Sequence, residues 1–414
     1  MKAINIREFG APDVLELVEV ANPEVRPDDL LVRVYAAGVN RADLTHRTGG
    51  YGHPNFGDSL IIGLEIAGEV IGKGKAVTGF EVGDRVMGVV GGGAYAEQAR
   101  IDYRMAMHIP AQVDYVHAAA IPEVFVTAHE AMMHLARLKS GDSVLIHAAA
   151  GGVGSAAVQL AYATGATVYA TTEGSKLARV EHLGADVAID YKTQDFAQVI
   201  ADKTQGRGVD VIIDFIGEPY FARNIASLAK GGRLVQVGIL GGGGNVTVAL
   251  EDILYRHLQI IGTVMKSRPQ DVKWAMSHRF RERWLAEFAC GRLAPVVDTW
   301  KRLPKSLAQG DFSGMADWGP ARQLEVASEC HGQRLDAWLS DVSAPWSTGM
   351  YQCCSAGRFA SRPDAQLTDP SPCGVPIILI WPHGWRRHKF RCPSSLATMT
   401  CFRRIFSMTA RHSG

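Results

Sequence analysis

The chain has 414 residues, 47% of them hydrophobic and 21% charged, with a formal net charge of +1. That length holds two or three domains, and the composition is that of a globular protein. A charge so near zero removes the bulk electrostatic case for nucleic acid or an anionic membrane as partner.

The opening MKAINIREFG has no apolar core of signal-peptide length, and no apolar run reaches about 18 residues. A soluble cytoplasmic protein with no membrane partner is therefore expected. Cysteine usage agrees: only Cys290 precedes residue 303, which suits a reducing compartment.

Residues 1–120 alternate short β-like runs with Gly and Pro turns, as in Leu30–Val34, Glu65–Ile71 and Arg85–Val90. This pattern predicts a mostly β domain with half-buried strands. From 121 the texture becomes strands alternating with helices. Ala118–Leu138 reads as helical with an interruption near Pro122. Ser143–Ala161, SVLIHAAAGGVGSAAVQLA, reads as a buried strand, a small-residue turn and a helix. Thr167–Thr171, Val187–Asp190, Val209–Phe215, Arg233–Gly238 and Leu258–Thr263 follow as strands. Helices are expected between them at Lys176–Leu183, Phe196–Ala201 and Ala222–Leu228. The whole of 121–265 predicts a doubly wound parallel sheet. Residues 266–302 predict a long helix, Asp271–Cys290, and a strand, Val296–Trp300, returning to the first domain.

Beyond residue 302 the texture breaks. The segment 303–414 holds six of the seven cysteines, five of the eight tryptophans and nine of the eighteen prolines, but only three valines. It has no sustained period of 2 or 3.6, so an irregular tail is expected. Disordered tails are ordinarily poor in Trp and Cys, which sets this one apart.

The strand–turn–helix at 143–161 predicts a dinucleotide cradle. Its pattern is Ala149-x-Gly151-x-x-Gly154, in which glycines let backbone N–H groups reach a pyrophosphate at a helix N-terminus. Ala150, Gly151, Gly152, Val153 and Gly154 are the expected contacts.

AGVNRADL, GLEIAG, VGDRV, AAIPEVFVTAHEAM and HAAAGGVGSAAVQLA occur in this order. With them, residues 1–302 resemble the medium-chain dehydrogenase/reductase superfamily, and within it the zinc-free, zeta-crystallin-like quinone oxidoreductases that use NADPH. The resemblance implies an α/β protein: a GroES-like β domain (1–120), a Rossmann domain (121–265) and a return to the first domain (266–302). It also implies an active-site cleft between the domains and a homodimer joined along the Rossmann sheet edge near Leu250–Thr263.

Zinc-dependent alcohol dehydrogenases of this superfamily have Cys where this chain has Asn40, and His where it has Leu64. Neither replacement suits the N/S ligation that zinc takes. Their four-cysteine lobe falls near Gly91–Ile101, where this chain has no cysteine. No metal is expected, and Glu65 is read as structural.

Without a metal, the protein must orient the hydride donor and supply hydrogen bonds to the developing oxyanion. The resemblance assigns this to Asn40 and to Tyr51, whose phenol can donate a proton. Thr127 matches a position near the nicotinamide. Arg41 and Asp43 are expected to form a local ion pair or hydrogen bonds and are read as structural, and His46 and His53 are expected to be solvated. An NAD enzyme places Asp or Glu at the end of the second Rossmann strand. Here Ser175, Lys176 and Tyr191 resemble a 2′-phosphate site, which favours NADPH over NADH, although Glu173 in the same loop opposes a phosphate. Gly238 and Leu240 are expected to line the nicotinamide pocket on a flexible lid.

The expected function is NADPH-dependent reduction of a quinone or enone by metal-free hydride transfer. The alternatives are an enoyl-thioester reductase of the same superfamily and a cofactor-binding protein without turnover. Family members finish with an Ala-His-x-x-Met-Glu helix and a Gly-Lys-Ile-Val-Leu strand, and neither follows Leu303. The missing ending and the composition break together predict that 303–414 is read out of frame; if the tail is real, the β domain lacks its closing strand and keeps a bare edge. Resequencing the 3′ end of the gene tests this; an unshifted frame and an intact mass matching 414 residues overturn it.

Overall fold

The computed structural model describes residues 1–50, 61–302 and 377–380. Its first part is a β domain. Strands β1 (Lys2–Ile6) and β2 (Leu15–Glu19) form an antiparallel ribbon. A larger antiparallel sheet is built from β3 (Asp29–Val39), β4 (Glu65–Lys73), β5 (Arg85–Val89), β6 (Gln98–Asp102) and β7 (Ala106–His108). Val32, Val34, Ile66 and Val86 fill its core. Helix α1 (Arg41–Arg47) follows β3 directly. Helices α2 (Tyr115–Ala118) and α3 (Pro122–His129) lead out of the domain, and α3 begins at Pro122, where the missing N–H costs nothing. A π-helical turn, Glu130–Leu135, extends α3.

The second part is the expected parallel sheet. Its strands are β8 (Ser143–Ile146), β9 (Thr167–Thr172), β10 (Val187–Asp190), β11 (Val209–Asp214), β12 (Leu228–Gln236) and β13 (Gln259–Gly262). Their spatial order is β10-β9-β8-β11-β12-β13, all parallel. The chain therefore starts mid-sheet, winds outward through β9 and β10, and crosses back to β11. Helices α4 (Gly152–Thr164), α5 (Leu177–His182), α6 (Phe196–Thr204), α7 (Glu218–Ser227) and α8 (Leu250–Arg256) make the connections. Both faces are buried: Val144, Ile146, Val211 and Ile213 point into one core, while Leu145 and Ile212 point into the other. That two-sided burial explains the continuous apolar runs that mark these strands in the sequence.

Helix α9 (Gln270–Ala289) returns to α3, packing Phe280 and Phe288 against Phe125 at ring separations of 6.4 and 4.9 Å. Strand β14 (Thr299–Arg302) begins three residues later than the expected Val296 start. It leads to a correction. The β-domain edge, expected to be bare if the tail is real, is covered by β15 (Ile377–Ile380), which lies between β14 and β3. Ile377 is opposite Val39 and Ile380 opposite Ala36, antiparallel, while β14 runs parallel on the other side. A four-residue Ile-Ile-Leu-Ile run needs no more than an open ladder to become a strand. The expected irregularity and frame change of 303–376 and 381–414 lie outside the described residues.

Candidate functional site

The turn between β8 and α4 is held by its own backbone. Gly151 N–H donates to the Ala148 carbonyl (2.9 Å), Ser155 N–H to the Gly151 carbonyl (2.8 Å), and Ala149 N–H to Thr171 on β9 (2.9 Å). Gly154 sits where a Cβ would lie 2.3 Å from the Ala148 oxygen and 2.8 Å from the Ala149 Cα. Only glycine lets the helix start this close to the strand. The first turn of α4 carries no acidic residue, so its N–H groups and the positive end of its dipole stand unopposed. Ala150, Gly151, Gly152, Val153 and Gly154 lie on this turn as expected, and the arrangement fits a dinucleotide pyrophosphate.

At the ends of β9 and β10 the fold brings Ser175, Lys176 and Tyr191 together. Asp190 pairs with Thr172 in register, and Tyr191 N–H donates to the Thr172 carbonyl (3.1 Å). Ser175 and Lys176 lie in a 3-10 turn, Gly174–Lys176, directly after β9. Lys176 is buried and Tyr191 exposed. Glu173, which the sequence sets against a phosphate, is ion-paired with Lys192 Nζ. That contact holds the Glu173 carboxyl below its ordinary range and raises the lysine. Glu173 is thus already neutralised from the next strand end.

The loop after β12 carries Gly238 and Leu240. It is tied down more firmly than a lid: Leu240 N–H donates to Phe215 (2.9 Å), Gly241 N–H to Ile216 (2.8 Å), and Gly244 N–H to Glu218 Oε2 (3.1 Å). Leu240 is about half exposed, next to exposed Ile239.

The third feature is a carboxylate junction behind a cleft. Glu65, at the start of β4, has no solvent exposure. Its Oε1 accepts from Asn40 Nδ2 (2.7 Å) and its Oε2 from Glu123 N–H (2.9 Å). Gly38 makes the room, since a Cβ there would lie 2.1 Å from Glu65 Oε1. Burial, reinforced by the neighbouring Glu123 and Asp43 carboxylates, pushes the Glu65 carboxyl up to about 8. Asp43 is buried too, and its Oδ2 accepts from Asn40 N–H (2.8 Å) and the Tyr95 hydroxyl (3.0 Å). Burial raises it to about 6. Of the local ion pair or hydrogen bonds expected for Arg41 and Asp43, Asp43 makes hydrogen bonds, to Asn40 N–H and Tyr95, while Arg41 is exposed.

Leu64, next to Glu65 in the chain, and Glu123, bonded to it, reach an open cleft. Apolar Leu64, Val89 and Met265 line it, with charged Glu123, Lys266 and Lys273. Thr127 lies one turn from Glu123 on α3, on the same helix face. His46 is half-buried rather than solvated; burial and the Lys266 charge hold it below its ordinary value. Tyr51 and His53 lie outside the described residues. Sequence reasoning missed Glu123 and Lys266. Glu123 sits in the AAIPEVFVTAHEAM motif, and its place directly after Pro122 was the available signal; Lys266 gave none.

Among the described residues no group of three or more His, Cys, Asp or Glu could hold a metal ion, and no helix is long and apolar enough to cross a membrane. Asn40 is turned onto Glu65, and Leu64 is an apolar wall of the cleft.

Two family descriptions match the chain. The alcohol dehydrogenase GroES-like domain matches residues 26–111, and the zinc-binding dehydrogenase domain matches residues 152–281. A quinone oxidoreductase from Homo sapiens is 31% identical over 311 residues, covering 74% of this chain and 91% of that protein. The solved quinone oxidoreductase of Pseudomonas syringae pv. Tomato DC3000 superposes with a TM-score of 0.63 at 29% identity, over 77% of this chain and 97% of that one. The CurK enoyl reductase, 22% identical with a TM-score of 0.67, covers 92% of this chain and 99% of that one and attests the fold alone.

Proposed function

Since the chain belongs to the medium-chain dehydrogenase/reductase family, in its zeta-crystallin-like quinone oxidoreductase branch, we propose that it reduces quinones or enones with NADPH, without a metal. The observation that carries this reading is Gly154, pressed against Ala148 and Ala149 beneath the open N-terminus of α4. Ala150–Gly154 hold the pyrophosphate; Thr127, Gly238 and Leu240 border the nicotinamide. When bound, the dihydronicotinamide supplies a hydride.

The chain's own residues do the rest. Glu65 fixes the Asn40 amide through one N–H, leaving its second N–H to position ribose or acceptor. Tyr51 donates a hydrogen bond to the acceptor oxygen. Leu64, Val89 and Met265 exclude water from an apolar acceptor. Quinones and enones are already electrophilic, so orientation and hydrogen bonds suffice where a simple ketone would need a Lewis acid.

Consumption of NADPH, followed by its absorbance with a panel of quinones, enones and an enoyl thioester, tests the function. Turnover of quinones or enones is expected. Thioester turnover alone would favour the enoyl-reductase reading, and tight NADPH binding without any turnover a binding protein.

NADPH is preferred because Ser175 and Lys176 follow β9, Tyr191 follows the neighbouring β10, and Lys192 masks Glu173. Removing one charge-assisted hydrogen bond to a phosphate weakens affinity by about 10- to 100-fold. Lys176→Ala is therefore expected to weaken NADPH binding by about that factor while leaving NADH binding unchanged, read by fluorescence titration. Equal losses for both cofactors would remove Lys176 from the phosphate site.

We also place the protein in the cytoplasm, as a homodimer joined along β13. That strand is the sheet edge, and Ile260, Leu250, Leu254 and Tyr255 around it are exposed. Ile260→Asp is expected to yield monomers in sedimentation velocity; an unchanged sedimentation coefficient would move the interface elsewhere.

A further inference from the structure

Hydride transfer is only half of a reduction. The acceptor takes two electrons and one hydrogen, and an oxyanion or enolate is left that needs a proton. The charged side chains lining the cleft fall into two groups. Asp29, Arg100 and Asp102 are engaged at one end, Arg100 with Asp29 at 3.0 Å and Asp102 with Arg104 at 2.6 Å. Glu123, whose N–H is bonded to Glu65, lines the cleft together with Lys266 and Lys273.

Glu123 is anchored there by its own backbone, because its N–H is bonded to Glu65 Oε2 and it opens helix α3. Lys266 follows β13 and lines the same cleft. We propose that Lys266 is the proton donor of the reaction and that the carboxylate of Glu123, on the wall of the same cleft, favours its charged form. This rests on the reductase reading above. In the step, the hydride forms a C–H or O–H bond on the acceptor as the dinucleotide is oxidised. A Lys266 N–H bond then breaks, and the proton joins the anionic product. The neutral amine takes its proton back from water, with the Glu123 carboxylate favouring the ammonium.

The surrounding charges fit that assignment. Lys266 is half-buried, which lowers it from the ordinary lysine value, while Asp43 and Glu123 raise it and Lys273 lowers it. Glu123 is pushed up to about 7 by burial and by Asp43, and is drawn down by Lys266 and Lys273. Glu65 and His46 complete the set of titratable groups facing the pair. An ammonium below its ordinary value is a better acid, and general acid catalysis contributes about 100-fold or more. Protonation matters most for an enone, whose enolate is a stronger base than the hydroquinone anion a quinone yields.

The test is Lys266→Met in the full chain, assayed with an alkyl enone and a benzoquinone, with NADPH binding measured separately. Enone kcat is expected to fall about 100-fold and quinone kcat by less than about 10-fold, with NADPH affinity unchanged. The unaltered protein should lose enone activity as pH rises past a lowered lysine value. Lys266→Arg should push that limb to higher pH, and Glu123→Gln should pull it lower, since the carboxylate that favours the ammonium is gone. Enone turnover within about threefold of normal in Lys266→Met, or a basic limb unmoved in Glu123→Gln, overturns the assignment. No turnover by the unaltered protein, with NADPH bound, overturns the reductase reading and this inference together.

Discussion

Gly154→Val is expected to abolish dinucleotide binding, lowering NADPH affinity by at least about 100-fold in a fluorescence titration. The valine Cβ alone would lie 2.3 Å from the Ala148 oxygen and 2.8 Å from the Ala149 Cα. Both are backbone atoms, so no rotamer relieves the contact. Either α4 slides away from β8 or the Ala148–Gly151 turn opens, and each outcome moves the N–H groups that face the pyrophosphate. Overpacking of this kind costs about 1–3 kcal/mol in stability, well inside the usual reserve of a domain. The variant should therefore remain folded by far-UV circular dichroism while losing the cofactor. A folded variant that binds NADPH within about threefold of normal would remove the turn from the cofactor site.

That turn was legible because everything that makes it is local. Val144, Leu145 and Ile146 declare a strand buried on both faces, small residues declare the turn, and the helix follows within about ten residues. The doubly wound sheet was legible for the same reason, repeated strand by strand. Asn40 was found through its motif, but its partner was not, since Glu65 is 25 residues away and Glu123 a further 58. The junction exists only when β4 and α3 meet. Glu173 illustrates the same limit: in sequence it opposes a phosphate, and in the fold Lys192, 19 residues on, turns it aside. Strand β15 was missed because Ile377–Ile380 has no alternating flank to mark it; its pairing with β3 is wholly non-local.

The carboxylate junction also governs how stability depends on pH. Folding raises Glu65 to about 8, Glu123 to about 7 and Asp43 to about 6, chiefly through burial. A carboxyl with a raised folded value holds its proton longer in the native state than in the unfolded chain. Between the unfolded value and the folded one, the native state binds more protons, so stability falls as pH rises. The expected window runs from about pH 4.5 to about pH 8, with the steepest loss due to Glu65. A tenfold difference in proton affinity between the folded and unfolded states corresponds to about 1.4 kcal/mol, and the junction as a whole should cost on the order of a few kcal/mol at pH 8 relative to pH 5. Glu65→Gln mimics the protonated acid and keeps an oxygen that accepts from Asn40. It loses the acceptor for Glu123 N–H, so at pH 5 it should be less stable than the unaltered chain. Its melting temperature should then change far less between pH 5 and pH 8, narrowing or reversing the difference at the alkaline end. Parallel melting curves for the two proteins at both values would mean that Glu65 is ionised in the fold at neutral pH, with Asn40 and the Glu123 N–H stabilising the anion rather than the acid.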